Sequence, residues 1–125
     1  RLPRPDLSAE AAWAALDIVE MKEVVLSMPL GIDTPLQSGG PTLSCGQVLR
    51  LTLARAIARE PRVLLLDDVL DRLDREDRLG IARRLLAPEL NWTVLLSTDL
   101  PEVAELCHRV VRVPEGEGSG AARDN

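Results

Sequence analysis

Two carboxylates directly follow an apolar run in the middle of the chain. Residues 63–66 read Val-Leu-Leu-Leu, and Asp67 and Asp68 come next. An apolar run without alternation is typical of a strand that is covered on both faces, and α/β folds bind ligands at the carboxyl ends of such strands. Because carboxylate oxygens are the ligands that Mg²⁺ prefers, the pair predicts a cation site at the edge of a sheet. The alternative is a solvated Asp pair that ends a strand and begins a turn.

A second segment suited to chemistry lies at residues 43–47, which read Leu-Ser-Cys-Gly-Gln. Apolar residues with helical spacing follow and predict a helix over about 46–59. At its start, Ser44 and Gly46 would offer an anion a hydroxyl, bare amides and the positive end of the helix dipole. The alternative is that Ser44 only caps the helix and binds nothing. The predicted buried stripe of this helix consists of Val48, Leu51, Ala54 and Ala58.

In this order and spacing, the two segments resemble the second half of an ATP-binding-cassette (ABC) ATPase domain of the exporter type. The family signature is Leu-Ser-Gly-Gly-Gln, so Cys45 replaces the first glycine, and its β-carbon restricts the approach of the backbone to a phosphate. The resemblance implies that the signature loop completes the nucleotide site of a partner domain. The residues that would bind the nucleotide in trans are Ser44, Cys45, Gly46 and Gln47.

The resemblance also implies roles around the carboxylate pair. Asp67 would hold Mg²⁺ through water, and Asp68 stands where the family has a glutamate that polarises the attacking water. Asp is one methylene shorter, and a displacement of about 1 Å costs on the order of 10²-fold in rate. Asp99 stands where the family has a histidine, and an ionised Asp only accepts hydrogen bonds and repels a phosphate. Asp68 and Asp99 therefore predict a degenerate catalytic site.

Residues 69–74 resemble the D-loop, which crosses the interface between two ATPase domains of the family. Leu73 and Asp74 keep the usual residues, and Asp74 also suits a helix cap. Residues 26–40 resemble the loop that contacts the coupling helices of the transmembrane part. The resemblance thus implies two partners, a second ABC ATPase domain and a transmembrane domain, and a place at the cytoplasmic face of the membrane.

A Walker A loop is not found in this sequence. That motif needs Gly-Lys-Ser or Gly-Lys-Thr to hold the phosphates, and Lys22, the only lysine, has no glycine beside it. We therefore expect this chain alone to be inactive, although the resemblance implies a parent ATPase that uses ATP and Mg²⁺. The start, Arg-Leu-Pro-Arg-Pro, is interpreted as the cut end of a longer chain.

The coarse pattern predicts an α/β fold with a parallel sheet, flanking helices and a small helical subdomain. By resemblance this is a partial P-loop NTPase fold of the ABC ATPase type. Strands are predicted at 63–66, 93–97 and 109–113, and helices at 8–19, 20–27, 46–59, 75–86 and 101–107. The predicted division is a helical subdomain with the loop to the signature at 1–45, the C-terminal part of the ATPase core at 46–113, and a disordered tail at 114–125.

Composition limits the classes of partner. The net charge is −5, Phe and Tyr are absent, and the aromatic residues are Trp13 and Trp92, which disfavours nucleic-acid binding. Two other classes stay open: a DNA-repair or chromosome-maintenance ATPase head, and an inactive module that uses the fold to dimerise or regulate. Residues 8–28 lack the heptads expected of the first class.

Overall fold

The computed structural model describes residues 8–31 and 43–114. The predicted tail after Pro114 and residues 32–40 of the loop predicted to contact the coupling helices lie outside these residues. In chain order the elements are α1 (Ala9–Ile18), α2 (Lys22–Leu26), α3 (Cys45–Ala58), β1 (Val63–Asp67), a 3₁₀ turn (Leu70–Arg72), α4 (Arg75–Leu85), β2 (Thr93–Ser97) and α5 (Pro101–Ala104).

The sheet in the described residues consists of β1 and β2, which pair in parallel with Val63 opposite Thr93 and Asp67 opposite Ser97. Parallel pairing was predicted and is confirmed. The prediction that β1 is covered on both faces is wrong for the residues described, because Leu64 and Leu66 are buried whereas Val63 and Leu65 are more than half exposed. A continuous apolar run means that both faces of a strand could be buried. Whether a face is buried depends on whether another element packs against it.

The third strand predicted at 109–113 is wrong: these residues form neither helix nor strand. Val110, Val111 and Val113 are exposed. A strand forms only where a neighbour satisfies its backbone groups, and β2 pairs with β1 in the described structure, not with this segment. The valines therefore have the residue type that is typical of a strand, but in the described structure no neighbouring strand pairs with them.

One apolar core joins the helices to the sheet. Helix α1 packs against α3 and also touches α4, so the predicted helical subdomain shares its core with the strand-bearing part. The buried apolar residues are Ala15, Leu16, Val19, Met21, Val25, Leu53, Ala54, Ile57, Ala58, Leu64, Leu66, Leu70, Leu73, Ile81, Ala82, Leu85 and Val103.

The buried face of α3 agrees in part with the predicted stripe: Ala54 and Ala58 are buried as predicted, and Leu51 packs against the core. Leu53, Ala54, Ile57 and Ala58 are buried, whereas Val48 is 51% exposed. The prediction is wrong for Val48 and missed Leu53 and Ile57, because the contact of α3 with α1 rotates the buried face toward these two residues. For a helix of this composition, periodicity alone leaves the rotation about its axis undecided.

Two predicted helix caps have different outcomes. Ser8 caps α1 as predicted, since its Oγ accepts a hydrogen bond from the Ala11 amide at 3.0 Å. Asp74 occupies the N-cap position of α4, but its side chain makes no capping hydrogen bond. Its negative charge at the helix N-terminus is favourable without that bond.

Candidate functional site

The carboxyl ends of β1 and β2 bring the predicted carboxylates to one edge of the sheet. Asp67 lies opposite Ser97 in the parallel register, and the Ser97 hydroxyl donates to Asp67 Oδ1 at 2.8 Å. The same hydroxyl oxygen accepts the Asp68 backbone N–H at 2.9 Å. Ser97 therefore links the two carboxylate-bearing residues, a role that sequence analysis did not assign.

The backbone at Asp68 is unusual for a residue with a side chain. Its φ is +55°, in the left-handed region where L-residues are uncommon and their conformation costs free energy. The hydrogen bond from its N–H to Ser97 holds this conformation. The chain thus turns sharply where the sequence predicts the water-polarising carboxylate.

A second group of bonds ties the 3₁₀ turn to the residues after β2. Thr98 Oγ1 donates to Asp71 Oδ1 at 2.5 Å, and the Asp99 backbone N–H donates to Asp71 Oδ2 at 2.8 Å. The Leu100 N–H in turn donates to Thr98 Oγ1 at 3.0 Å. Sequence analysis placed Asp71 only within the segment that resembles the D-loop. Its position in the turn after β1, beside the end of β2, is the signal that could have identified it as a site residue.

Three carboxylates at this edge could hold a cation. Oxygens of Asp68, Asp71 and Asp99 all lie within 4.8 Å of one another. Oxygen donors suit a hard cation such as Mg²⁺ better than a metal that prefers sulfur or imidazole. Asp67, the predicted Mg²⁺ ligand, is outside this group and is joined to it through Ser97. Its assignment to Mg²⁺ stays a prediction.

The predicted signature residues form the N-terminus of α3. Ser44 and Gln47 make a capping box: the Gln47 N–H donates to Ser44 Oγ at 3.1 Å, and the Ser44 N–H donates to Gln47 Oε1 at 2.9 Å. This geometry confirms the capping role of Ser44. A hydroxyl that accepts one hydrogen bond can still donate its own proton, so capping leaves Ser44 able to serve a ligand.

Cys45 and Gly46 are the first two residues of α3. Cys45 is exposed. A Cβ built at Gly46 would have only Ser44 Oγ within 4 Å, at 3.9 Å, so the described part of the chain does not itself require glycine there. Within residues 8–31 and 43–114, the side of the helix start that carries Gly46 has no close side-chain neighbour other than Ser44.

The residues predicted as the D-loop remnant divide between core and surface. Leu73 is buried, whereas Asp74 is exposed. Arg78, which is only 12% exposed, donates to the carbonyls of Leu70 at 3.0 Å and Leu73 at 2.6 Å. The same guanidinium reaches Glu102 Oε1 at 2.7 Å, so α4 and α5 both support this turn.

Comparison with known proteins places the chain in a family. The family model for ABC transporters matches residues 7–71. The mating factor M secretion protein mam1 of Schizosaccharomyces pombe is 35% identical over 111 residues, which cover 89% of this chain and 8% of that protein. The lactococcin transport/processing ATP-binding protein LcnC-like of Lactococcus lactis is 33% identical, covering 88% of this chain and 15% of that protein.

A solved structure agrees with these matches. A bacterial Atm1-family ABC exporter with ATP bound superposes with a TM-score of 0.67 at 25% identity, over 82% of this chain and 18% of that chain. The chain thus spans less than a fifth of each of these proteins. None of them supports the DNA-repair alternative. Because the family model matches more than half of the chain and close relatives align along nearly all of it, the chain belongs to the ABC transporter family and corresponds to part of an exporter-type nucleotide-binding domain.

Proposed function

We propose that this chain supplies the helical subdomain, the signature helix and the Walker B strand of an ATPase that drives export across a membrane from its cytoplasmic face. The observation that carries the proposal is the capped N-terminus of α3, where the signature-like sequence begins and Ser44 is the nearest described side chain to Gly46. Relatives that align along most of this chain are secretion and transport proteins, which supports the same function. The proposed partners are a second ABC ATPase domain and a transmembrane domain.

The signature loop acts in trans in this proposal. Ser44, Cys45, Gly46 and Gln47 close over the phosphates of ATP held by the partner domain, where exposed amides and the helix dipole favour an anion. Gly46 supports this role because no described atom of its own chain occupies the space beside it except Ser44 Oγ at 3.9 Å. A phosphate approaching that side meets backbone rather than a side chain.

The domain's own site is proposed to be degenerate. Asp67 would hold Mg²⁺ through water, and the cation would supply positive charge beside the phosphates of ATP. Asp68 and Asp99 would face the same phosphates, and a third carboxylate, Asp71, lies close to both. This concentration of negative charge repels a γ-phosphate, so we propose that ATP is hydrolysed slowly at this site. The signature loop would still complete the partner's nucleotide site.

A substitution at Ser44 separates capping from nucleotide binding. Asp is as good an N-cap as Ser, so Ser44→Asp should preserve α3 while placing a negative charge against the partner's γ-phosphate. We expect hydrolysis at the partner's site of the full-length protein to fall by at least about 100-fold. Ser8→Asp is the matched control, because Ser8 caps α1 with the same kind of hydrogen bond.

The measurement is trapping of ADP with vanadate after hydrolysis, resolved by site. Loss at the partner's site with Ser44→Asp, and unchanged trapping with Ser8→Asp, supports the proposal. Unchanged trapping with both variants would show that Ser44 only caps its helix. Equal loss at both sites with Ser44→Asp would contradict the trans assignment.

A further inference from the structure

Each carboxylate oxygen of Asp71 accepts a hydrogen bond from the chain segment that follows β2. One oxygen accepts the Thr98 hydroxyl at 2.5 Å, and the other accepts the Asp99 backbone N–H at 2.8 Å. Both donors belong to adjacent residues, so the carboxylate binds the segment after β2 at two points. Two simultaneous bonds to a charged acceptor fix orientation as well as distance.

Arg78 of α4 binds the backbone of the turn that carries Asp71. Arg78 donates to the carbonyls on both sides of it, Leu70 and Leu73, and its Nη2 lies 3.4 Å from the Asp71 carbonyl oxygen. The guanidinium is 12% exposed and also pairs with Glu102 at 2.7 Å. The planar guanidinium of Arg can donate to several acceptors at once, so Arg78 fixes the backbone of the 3₁₀ turn.

We propose that Asp71 is a positioning residue that holds the turn 98–100, and with it Asp99, in a fixed relation to the 3₁₀ turn. The bonds from Asp71 join the segment that would face the partner domain to the residue that would face the γ-phosphate. The functional consequence rests on the proposed function, whereas the positioning itself does not. A movement of residues 70–73 would thus be passed directly to position 99.

Hydrogen exchange tests the positioning in the full-length protein. Asp71→Ala removes both acceptors, so exchange at the Asp99 amide should become about tenfold faster. Asp71→Asn keeps an oxygen and an amide of the same shape and should stay within about threefold of the unsubstituted protein. Glu89→Gln is the control, since Glu89 is exposed and lies in the loop before β2.

Coupling through the Thr98 hydroxyl provides a second variant. Thr98→Val keeps the shape of the side chain but removes the donor to Asp71 and the acceptor for the Leu100 amide. If the bonds form one unit, the effects of Asp71→Ala and Thr98→Val on exchange at Leu100 should be less than additive. Additive effects, or unchanged exchange at Asp99 in Asp71→Ala, would overturn the proposal.

A rate measurement separates this proposal from the proposed function. In an Asp99→His background, Asp71→Ala should lower the single-turnover rate at this domain's site about tenfold relative to Asp71→Asn, because a misplaced group loses rate steeply. A change in both exchange and rate supports both proposals. A change in exchange without a change in rate supports the positioning role and counts against the catalytic assignment of this edge.

Discussion

At the residue scale, the carboxyl ends of β1 and β2 carry carboxylates, two of which differ from the residues that the family resemblance leads us to expect. Asp68 adopts a φ of +55° and is one methylene shorter than the glutamate expected from the family. Asp99 brings a negative charge where a hydrogen-bond donor is expected. In the proposed function, both changes act on the same step, the positioning of the attacking water and the γ-phosphate, so we expect their effects to be coupled.

The first residue prediction concerns these two positions. We expect Asp68→Glu to raise single-turnover hydrolysis at this domain's site, and Asp68→Glu with Asp99→His to raise it on the order of 10²-fold, since reach and charge are both restored. The measurement uses the full-length protein with the partner's site disabled. If neither variant changes the rate, the assignment of these positions is wrong.

The second residue prediction compares the two thiols. Cys45 is exposed, whereas Cys107 is half-buried with its Sγ 3.6 Å from the Val103 carbonyl oxygen. Burial raises the pKa of the Cys107 thiol, so less of it is thiolate at about pH 8, and the thiolate is the reactive form. Iodoacetamide should therefore alkylate Cys45 faster than Cys107.

Trapped nucleotide should change that order. If α3 closes on the partner's nucleotide, vanadate trapping in the full-length protein should slow alkylation of Cys45 about tenfold. The reason is that the closed interface would block access of iodoacetamide to the Cys45 thiolate, which is the reactive form. Cys107 is the internal control and should keep its rate. Equal protection of both thiols would indicate a general change in the protein rather than closure at the signature.

At the element scale, the junction between α1 and α4 is crowded. A Cβ at Gly80 would lie 2.6 Å from Glu20 Oε1, and Glu20 pairs with Arg84 at 3.3 Å. The Arg84 guanidinium also donates to the Asp17 carbonyl at 3.0 Å. Gly80 therefore leaves room for the side chain that connects the end of α1 to α4.

We expect Gly80→Ala alone to change the unfolding free energy little. Ala gains about 1 kcal/mol over Gly inside a helix, but the added methyl displaces Glu20, whose partly exposed ion pair contributes about 0–1 kcal/mol. In a Glu20→Ala background the obstacle is absent, so Gly80→Ala should stabilise by about 1 kcal/mol. Urea unfolding of all four proteins measures this, and equal effects in both backgrounds would contradict the crowding.

At the scale of the whole molecule, the sheet has one covered face and one open face. Leu65 and Leu95 lie opposite each other on the open face and are 68% and 66% exposed. Val63 on the same face is 56% exposed. The helices within residues 8–31 and 43–114 do not reach the length and apolar character of a membrane span. Apolar surface of this kind favours association with another surface.

We expect the 125-residue chain to self-associate when it is purified alone. The open sheet face and the edge of β2 that has no strand partner in the described structure are both templates for contact between copies. Light scattering after size exclusion, over a concentration series, should show growing mass. Leu65→Lys with Leu95→Lys should reduce it, and a strictly monomeric unsubstituted chain would contradict this prediction.

The purified chain should also lack ATPase activity. No Gly-Lys-Ser or Gly-Lys-Thr is present, and Lys22 is the only lysine, so no Walker A lysine can reach the β- and γ-phosphates. Phosphate release with MgATP should equal the blank. Turnover above the blank that disappears in Asp67→Ala would show that the chain has a phosphate site of another kind.

The sequence by itself determined the family, the parallel strand pair, the cap at Ser8 and the carboxylates at the strand ends, because these depend on local spacing and on adjacent residues. Tertiary structure decided that Leu53 and Ile57 of α3 are buried while Val48 is exposed, and that 109–113 does not pair as a strand. It also decided that Ser97 binds the residues at the end of β1 and that Asp71 binds Thr98 and Asp99. These outcomes depend on which surfaces meet. Apolar pattern states what an element can bury, but only a neighbour at contact distance decides what it does bury.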